Sequence, residues 1–254
     1  MIKRIGHIDN NENRKLKDQE FNINQPTISI IIPTYNEADN IGRLLEYLLA
    51  HRCDLIKEII VVDGGSTDQT VDRSRQYEVE VLNSPHKGRA SQMNYGASKS
   101  SGNILYFVHA DTIPPSTFAT DIVHELAAGY PLGCFRFLFD SPRKLLKVNS
   151  YFTRFDKIWC RGGDQTLFVK RQLFEELNGY RDDHKIMEEY DFIIRARKEV
   201  PFKIIPKDVI VSARKYDHNG YLRVQVANLV VFNMYRFGAS QERMVKTYRR
   251  LLKK

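Results

Sequence analysis

Long apolar runs are missing from this sequence. No stretch of its 254 residues stays apolar long enough to span a bilayer, and the N-terminal segment has no signal-peptide core, so the chain is expected in the cytoplasm. Cysteine is scarce. Cys53, Cys134 and Cys160 stand far apart with no CxxC pair, which argues against a disulfide framework or a thiolate zinc site and suits a reduced compartment. No GxGxxG follows an early strand, which argues against a dinucleotide-dependent oxidoreductase. Excess positive charge is also missing from most of the chain. The segment from Arg236 to Lys254 holds seven basic residues against Glu242 alone, and so carries +6 of the formal +8. The remainder is close to neutral, so no nucleic-acid-binding surface is expected.

What is present is a hydrophobic content of 42%, enough for one substantial core. Residues 1–25 are polar and aperiodic and read as a mobile N-terminal extension, with an edge contribution from Ile2 to Ile8. Residues 26–254 read as one domain whose last part, 220–254, is helical. The β-branched run Ile28–Pro33 predicts a buried strand, and the spacing of Ile41, Leu44, Leu45, Leu48 and Leu49 predicts a helix. A second strand is expected at Ile59–Asp63 before the Gly64-Gly65 turn, and Ser66 with Gln69 has capping-box spacing. Strand, helix, strand and helix continue through Val79–Leu82, Arg89–Lys99, Ile104–Val108 and Ser116–Ala128. This alternation predicts an α/β fold with a parallel sheet in the first half and helices on both faces. Later strands are expected at Gly133–Phe139, Thr166–Val169, Phe202–Ile205 and Val209–Ser212. Later helices are expected at Leu145–Phe155, Glu188–Lys198, Tyr221–Phe237 and Gln241–Leu252.

In such sheets ligands bind beyond the carboxyl ends of the strands, where Asp63 and Asp111 fall. Asp63 with Asp68 either receives a base or ribose, or merely turns the chain. Asp111, in His109-Ala-Asp-Thr112, is either an oxygen ligand for Mg²⁺ or Mn²⁺ or a solvated loop carboxylate. His109 reads as a packing or turn residue. Glu188, Glu189 and Asp191 place three carboxylates within four residues. Their repulsion would raise a pKa as a general base requires, or they simply favour a helix N-terminus.

Ile30-Ile-Ile-Pro-Thr-Tyr-Asn-Glu37, Val61-Val-Asp-Gly-Gly-Ser-Thr-Asp68, the strand-end Asp111 and the late acidic cluster occur in this order. Together they resemble the family 2 glycosyltransferases. That resemblance implies the GT-A fold, a Rossmann-like, mostly parallel sheet flanked by helices, here with C-terminal helices. Gly88-Arg-Ala-Ser-Gln-Met-Asn94, His109-Ala-Asp-Thr112, Gly163-Asp-Gln165 and Ser212-Ala-Arg214 resemble more narrowly the radical-SAM/selenodomain-associated, or arsenosugar-biosynthesis, branch. The resemblance implies that Pro33, Tyr35, Glu37 and Asp63 hold the nucleoside and that Arg89 lies near the nucleotide. It also implies that Asp111, the last residue of a DxD motif, binds Mn²⁺ or Mg²⁺, and that Glu189 is the base. His109 replaces the first Asp of DxD. Glu189 is one methylene longer than the usual aspartate, which keeps Asp191 in competition, with Glu188 in support.

The implied reaction is inverting transfer from a nucleotide-diphosphate sugar to a hydroxyl acceptor, with Arg214 beside the leaving diphosphate. Trp159 either stacks on a sugar or packs. The alternatives are a non-catalytic sugar-nucleotide-binding relative and a sugar nucleotidyltransferase. Against the latter, no Gly-rich loop follows the first strand. On the last helix, Met244, Val245, Tyr248, Leu251 and Leu252 form an apolar stripe among basic residues. It either packs on the domain or meets an anionic membrane at the inner face as a peripheral contact.

Overall fold

The computed structural model of the protein describes residues 26–252. The extension expected over residues 1–25, with its edge segment Ile2 to Ile8, lies outside the described residues. In chain order the first half contains β1 (Ile28–Thr34), α1 (Ala38–Ala50), β2 (Ile56–Asp63), α2 (Thr70–Ser74), β3 (Glu80–Asn83), α3 (Arg89–Lys99), β4 (Ile104–Phe107), β5 (Thr112–Ile113) and α4 (Phe118–Ala127). The second half contains β6 (Leu132–Phe139), α5 (Lys144–Phe152), β7 (Leu167–Lys170), α6 (Arg171–Glu176), α7 (Glu188–Ala196), β8 (Phe202–Val211), α8 (Arg214–Asn219), α9 (Tyr221–Arg236) and α10 (Gln241–Leu251).

All eight strands join one sheet in the order β3-β2-β1-β4-β7-β6-β8-β5. The β3-β2-β1-β4 half is parallel, as the helix crossovers require. β7 then runs antiparallel to both β4 and β6, β8 is parallel to β6, and β5 is antiparallel to β8. β1 sits at the centre of the parallel half and is buried along its whole length. Alternate side chains face opposite layers, so Ile28, Ile30 and Ile32 join Leu44, Leu48, Phe118 and Ile122 on one side. Ile31 joins Val62, Leu105, Met93 and Phe192 on the other. Each fully buried isoleucine contributes about 1.5–3 kcal/mol. Helix α3 approaches the sheet closely at Gly96, where a Cβ would lie 2.6 Å from Ile31 Cγ2 and 2.9 Å from Val62 Cγ2.

Two expectations change, and two short helices are added. The two strands anticipated at 202–205 and 209–212 are one, β8. A register shift between Phe135 and Arg136 absorbs the interruption at Pro206, which has no N–H to give. Arg136 bridges the irregularity, donating to the Pro206 carbonyl at 2.7 Å and pairing with Asp208 at 3.0 Å. The capping box does not form either. α2 begins at Thr70, and Ser66 instead bonds across to the loop after β1. Finally, α6 and α8 are too short to announce themselves by hydrophobic period.

Candidate active site

Because β1, β2 and β4 are parallel, their carboxyl ends share one rim of the sheet. The loops there are stitched together by short polar side chains. Asn36 adopts a left-handed backbone, φ 55°, and donates its N–H to Ser66 Oγ at 2.8 Å. Its side-chain oxygen accepts the Thr67 N–H at 2.8 Å. Asp68 accepts the N–H groups of Ala38 and Thr70, at 3.1 and 3.0 Å. Burial pushes its carboxyl upward, but the hydrogen bonds from Thr70 and Ala38 outweigh that and hold it below the ordinary range. Asp63 is buried, and one of its oxygens accepts the N–H groups of Gly65 and Ser66 at 2.8 and 2.9 Å. Both aspartates therefore shape the turn. Beneath it, the buried Gln92 donates to the carbonyls of Thr34 and Val62, each at 2.7 Å, and ties β1 to β2. Pro33 lies within the buried strand, and Tyr35 projects from the rim with 54% exposure.

Helix α7 brings the acidic cluster to this rim, entered through Met187 at φ 67°. The three carboxylates do not crowd one another, because each faces its own cation. Glu188 pairs with Arg89 from the start of α3. Glu189 Oε1 lies 3.3 Å from His109 Nε2, just after β4. Asp191 faces the other way and meets Arg195 at 2.8 Å, whose guanidinium also holds the carbonyls of Leu177 and Gly179. The expected rise in pKa is not found at Glu189. Burial lifts Glu189, but the charges of His109 and Arg89 overcome it and hold the carboxyl below its ordinary 4.5. His109 shows the mirror effect: burial pulls it down, and Glu189 first, then Asp164, raise it above 6.5. Asp164 Oδ1 stands 3.8 Å from His109 Nδ1 and is 53% exposed, so the imidazole lies between a buried and an open carboxylate.

Asp111 follows on the same loop, with its backbone carbonyl accepting the Ser212 N–H at 3.1 Å. Its carboxyl is pushed up by burial and next by the charge of Asp164, with Glu37 adding to the effect. Among the described residues no group of three or more His, Cys, Asp or Glu side chains forms a ready-made metal cage. Asp111 and Asp164, near enough for their charges to act on one another, nonetheless suit Mg²⁺ or Mn²⁺, which take one or two carboxylates and complete their shell with phosphate and water oxygens. Arg214 reaches across from α8 to Glu37 at 3.0 Å. Thus ion pairs and mutual charge link Arg89, Glu188, Glu189, His109, Asp164 and Asp111, and the Glu37–Arg214 pair acts on Asp111 from the other side of the rim, while Asp191 anchors α7 to the loop at Leu177 and Gly179. Sequence reasoning left Asp164 without a role and gave His109 a packing role. The signal for both was their nearness to motif residues, but their convergence depends on β7 returning beside β4.

A family model described as "Glycosyl transferase family 2" matches residues 29–182. The match covers the rim and the Asp111 loop and ends before α7. Glycosyltransferase AglE of Haloferax volcanii is 38% identical over 96 residues, which are 35% of this chain and 32% of that protein. The matched segment therefore spans only about a third of that curated relative's length. Among solved structures, glucosyl-3-phosphoglycerate synthase from Mycobacterium tuberculosis, in complex with Mn²⁺, UDP and glucosyl-3-phosphoglycerate, superposes with a TM-score of 0.61. It is 19% identical, and 94% of this chain and 87% of that chain are covered. Mannosyltransferase PcManGT from Pyrobaculum calidifontis, in complex with GDP-Man and Mn²⁺, gives a TM-score of 0.63 at 19% identity, covering 89% and 70%. The fold is of the GT-A type, as expected.

Proposed function

The chain belongs to glycosyl transferase family 2, and from that premise we propose that it transfers a sugar from a nucleoside-diphosphate donor to a hydroxyl acceptor with inversion at the anomeric carbon. The observation that carries the proposal is the buried Glu189 carboxylate held ionised by His109 at the rim that also bears Asp111. His109 and Glu189 depart from the family pattern separately in sequence, yet in space they form one pair. The extra methylene of Glu189 brings its carboxylate to the imidazole. A pair so matched supports catalysis over a binding-only relative.

In this reading Glu189 accepts the proton of the acceptor hydroxyl. The acceptor oxygen bonds to the anomeric carbon while the bond from that carbon to the diphosphate breaks, its electron pair leaving with the phosphate oxygen. His109 keeps the carboxylate deprotonated beforehand, and Glu188 holds Arg89 toward the nucleotide. Arg214, presented by Glu37, meets the charge that develops on the diphosphate. Bound Mn²⁺ or Mg²⁺ would supply further positive charge to that leaving group, held by Asp111 with Asp164 beside it. Pro33, Tyr35 and Asp63 border the space for the nucleoside. The narrower arsenosugar-branch reading and a cytoplasmic location belong to the same proposal.

The test compares Glu189→Gln with Asp191→Asn, using donor turnover and nucleotide-diphosphate affinity. Glu189→Gln should lower turnover by roughly 10²–10⁴ with donor affinity retained, while Asp191→Asn should chiefly lower the melting temperature. Loss of turnover only in Asp191→Asn would move the base by two residues. Donor binding with no turnover against any acceptor, or with water, would favour the binding-only relative.

A further inference from the structure

Helix α5 turns Leu146 and Ser150 into the domain, yet it carries a second apolar stripe that the fold leaves outside. Leu145, Val148, Tyr151 and Phe152, continued by Phe155 and Trp159 in the following segment, are each between 40% and 55% exposed. On the helix, the spacing of three and four residues puts Leu145, Val148, Tyr151 and Phe152 on one side. Their rings adjoin, with Tyr151 and Phe155 centroids 5.7 Å apart and Phe152 and Trp159 centroids 6.0 Å apart. The display is braced from within. Arg161, 3% exposed, donates to the carbonyls of Thr153 and Phe155, each at 2.6 Å, and pins the segment that carries the rings.

The surrounding charge is mostly positive. Lys144, Lys147, Arg154 and Lys157 are all exposed beside the stripe, as is Arg143, which pairs with Asp217 at 2.9 Å. The Arg154 guanidinium lies 3.9 Å from the Tyr151 ring centroid. The acid within this segment, Asp156, is paired with Arg197 at 2.8 Å. The last helix is built the opposite way. Met244 of α10 is buried, Val245, Tyr248 and Leu251 are half-buried and Leu252 packs against the Leu146–Tyr216–Val224 cluster, so its apolar stripe is largely covered.

We propose that the α5–Trp159 patch seats the protein on an anionic bilayer surface. Exposed aromatic rings interleaved with lysine and arginine suit the boundary between headgroups and acyl chains, where rings enter and cations meet lipid phosphate. A second copy is disfavoured as the occupant. A two-fold contact would set each patch on its own duplicate and bring Lys144, Lys147, Arg154 and Lys157 against the same four cations. The patch is also tied to the cleft. The carbonyl of Arg161, two residues after Trp159, accepts the Tyr190 hydroxyl, and Tyr190 follows Glu189. A hydroxyl acceptor at the lipid–water boundary would therefore be the substrate class. That step rests on the transferase reading, whereas the surface contact does not.

Trp159 is the only tryptophan in the chain, so its emission reports on the patch without any label. Full-length protein is titrated with phosphatidylcholine vesicles, with and without phosphatidylglycerol, and co-sedimented in parallel. Anionic vesicles should shift the emission to the blue and carry the protein down, and about 1 M salt should release it. Replacing Lys144, Lys147 and Lys157 by glutamine should weaken the binding about a hundredfold, at roughly fivefold per cation. Phe155→Ser should weaken it with the charge retained, while Arg249→Gln with Arg250→Gln should change it little. Nucleotide-diphosphate affinity and the melting curve should stay as in the wild type throughout. An emission unmoved by either vesicle, or a triple variant that binds like the wild type, would overturn the proposal. So would a wild-type dimer that Phe155→Ser converts to monomer. Vesicle binding without any nucleotide affinity would instead count against the transferase reading alone.

Discussion

Replacing His109 with glutamine removes the cation from a buried carboxylate, and the cost can be followed through pH. At 3.3 Å and an effective dielectric of about 20, the direct attraction between the two charges is about 5 kcal/mol. Glu189 can avoid that loss by taking a proton. At pH 6.5, for a group whose ordinary value is 4.5, this costs roughly 3 kcal/mol at about 1.4 kcal/mol per pH unit. Protonation is the cheaper route, so it sets the penalty. The raised pKa of His109 gives stability that is complete below 6.5 and lost as pH climbs through its folded value. The lowered pKa of Glu189 gives stability present above 4.5 and lost as pH falls through its folded value. Between 4.5 and 6.5 the wild-type pair is intact, and the penalty in the variant grows with pH. Calorimetric melting temperatures of wild type and His109→Gln should nearly coincide at pH 4.5 and separate by about 5–10 °C at pH 6.5, since 1 kcal/mol shifts a chain of this size by about 2–4 °C. A separation that is constant over this window, or that narrows as pH rises, would refute the pairing as the source of the stability.

Asp111→Asn should abolish the Mn²⁺-dependent part of nucleotide-diphosphate affinity, as measured by calorimetry with and without the ion, and leave the melting curve intact; retained Mn²⁺ dependence would remove Asp111 from the metal site. Gly96→Ala should cost about 1–3 kcal/mol in urea unfolding, because its methyl group would enter the space of Ile31 and Val62. A neutral result there would mean that α3 can lift from the sheet without loss.

Much of this protein can be read along the chain. The alternation of strand and helix through Ala127, the parallel half of the sheet and the rim bearing Asp63 and Asp111 follow from local periods and from the crossovers those periods demand. Motif order named the family. What the chain by itself did not decide is which distant groups meet. Glu37 finds Arg214 across 177 positions and Arg89 finds Glu188 across 99, and the sign of the Glu189 pKa shift depends on His109 from another element. Three close carboxylates look repulsive in sequence; Asp191 finds Arg195 one turn along its own helix, but only the tertiary arrangement brings Arg89 to Glu188 and His109 to Glu189. The two amphipathic helices make the same point. α5 and α10 both carry an apolar stripe among basic residues, but α10 lies against α9 and hides its stripe, while α5 leaves its larger one in the open. Periodicity determines that a stripe exists. What covers it depends on the surface folded opposite, because burial belongs to both partners and the helix sequence describes only one.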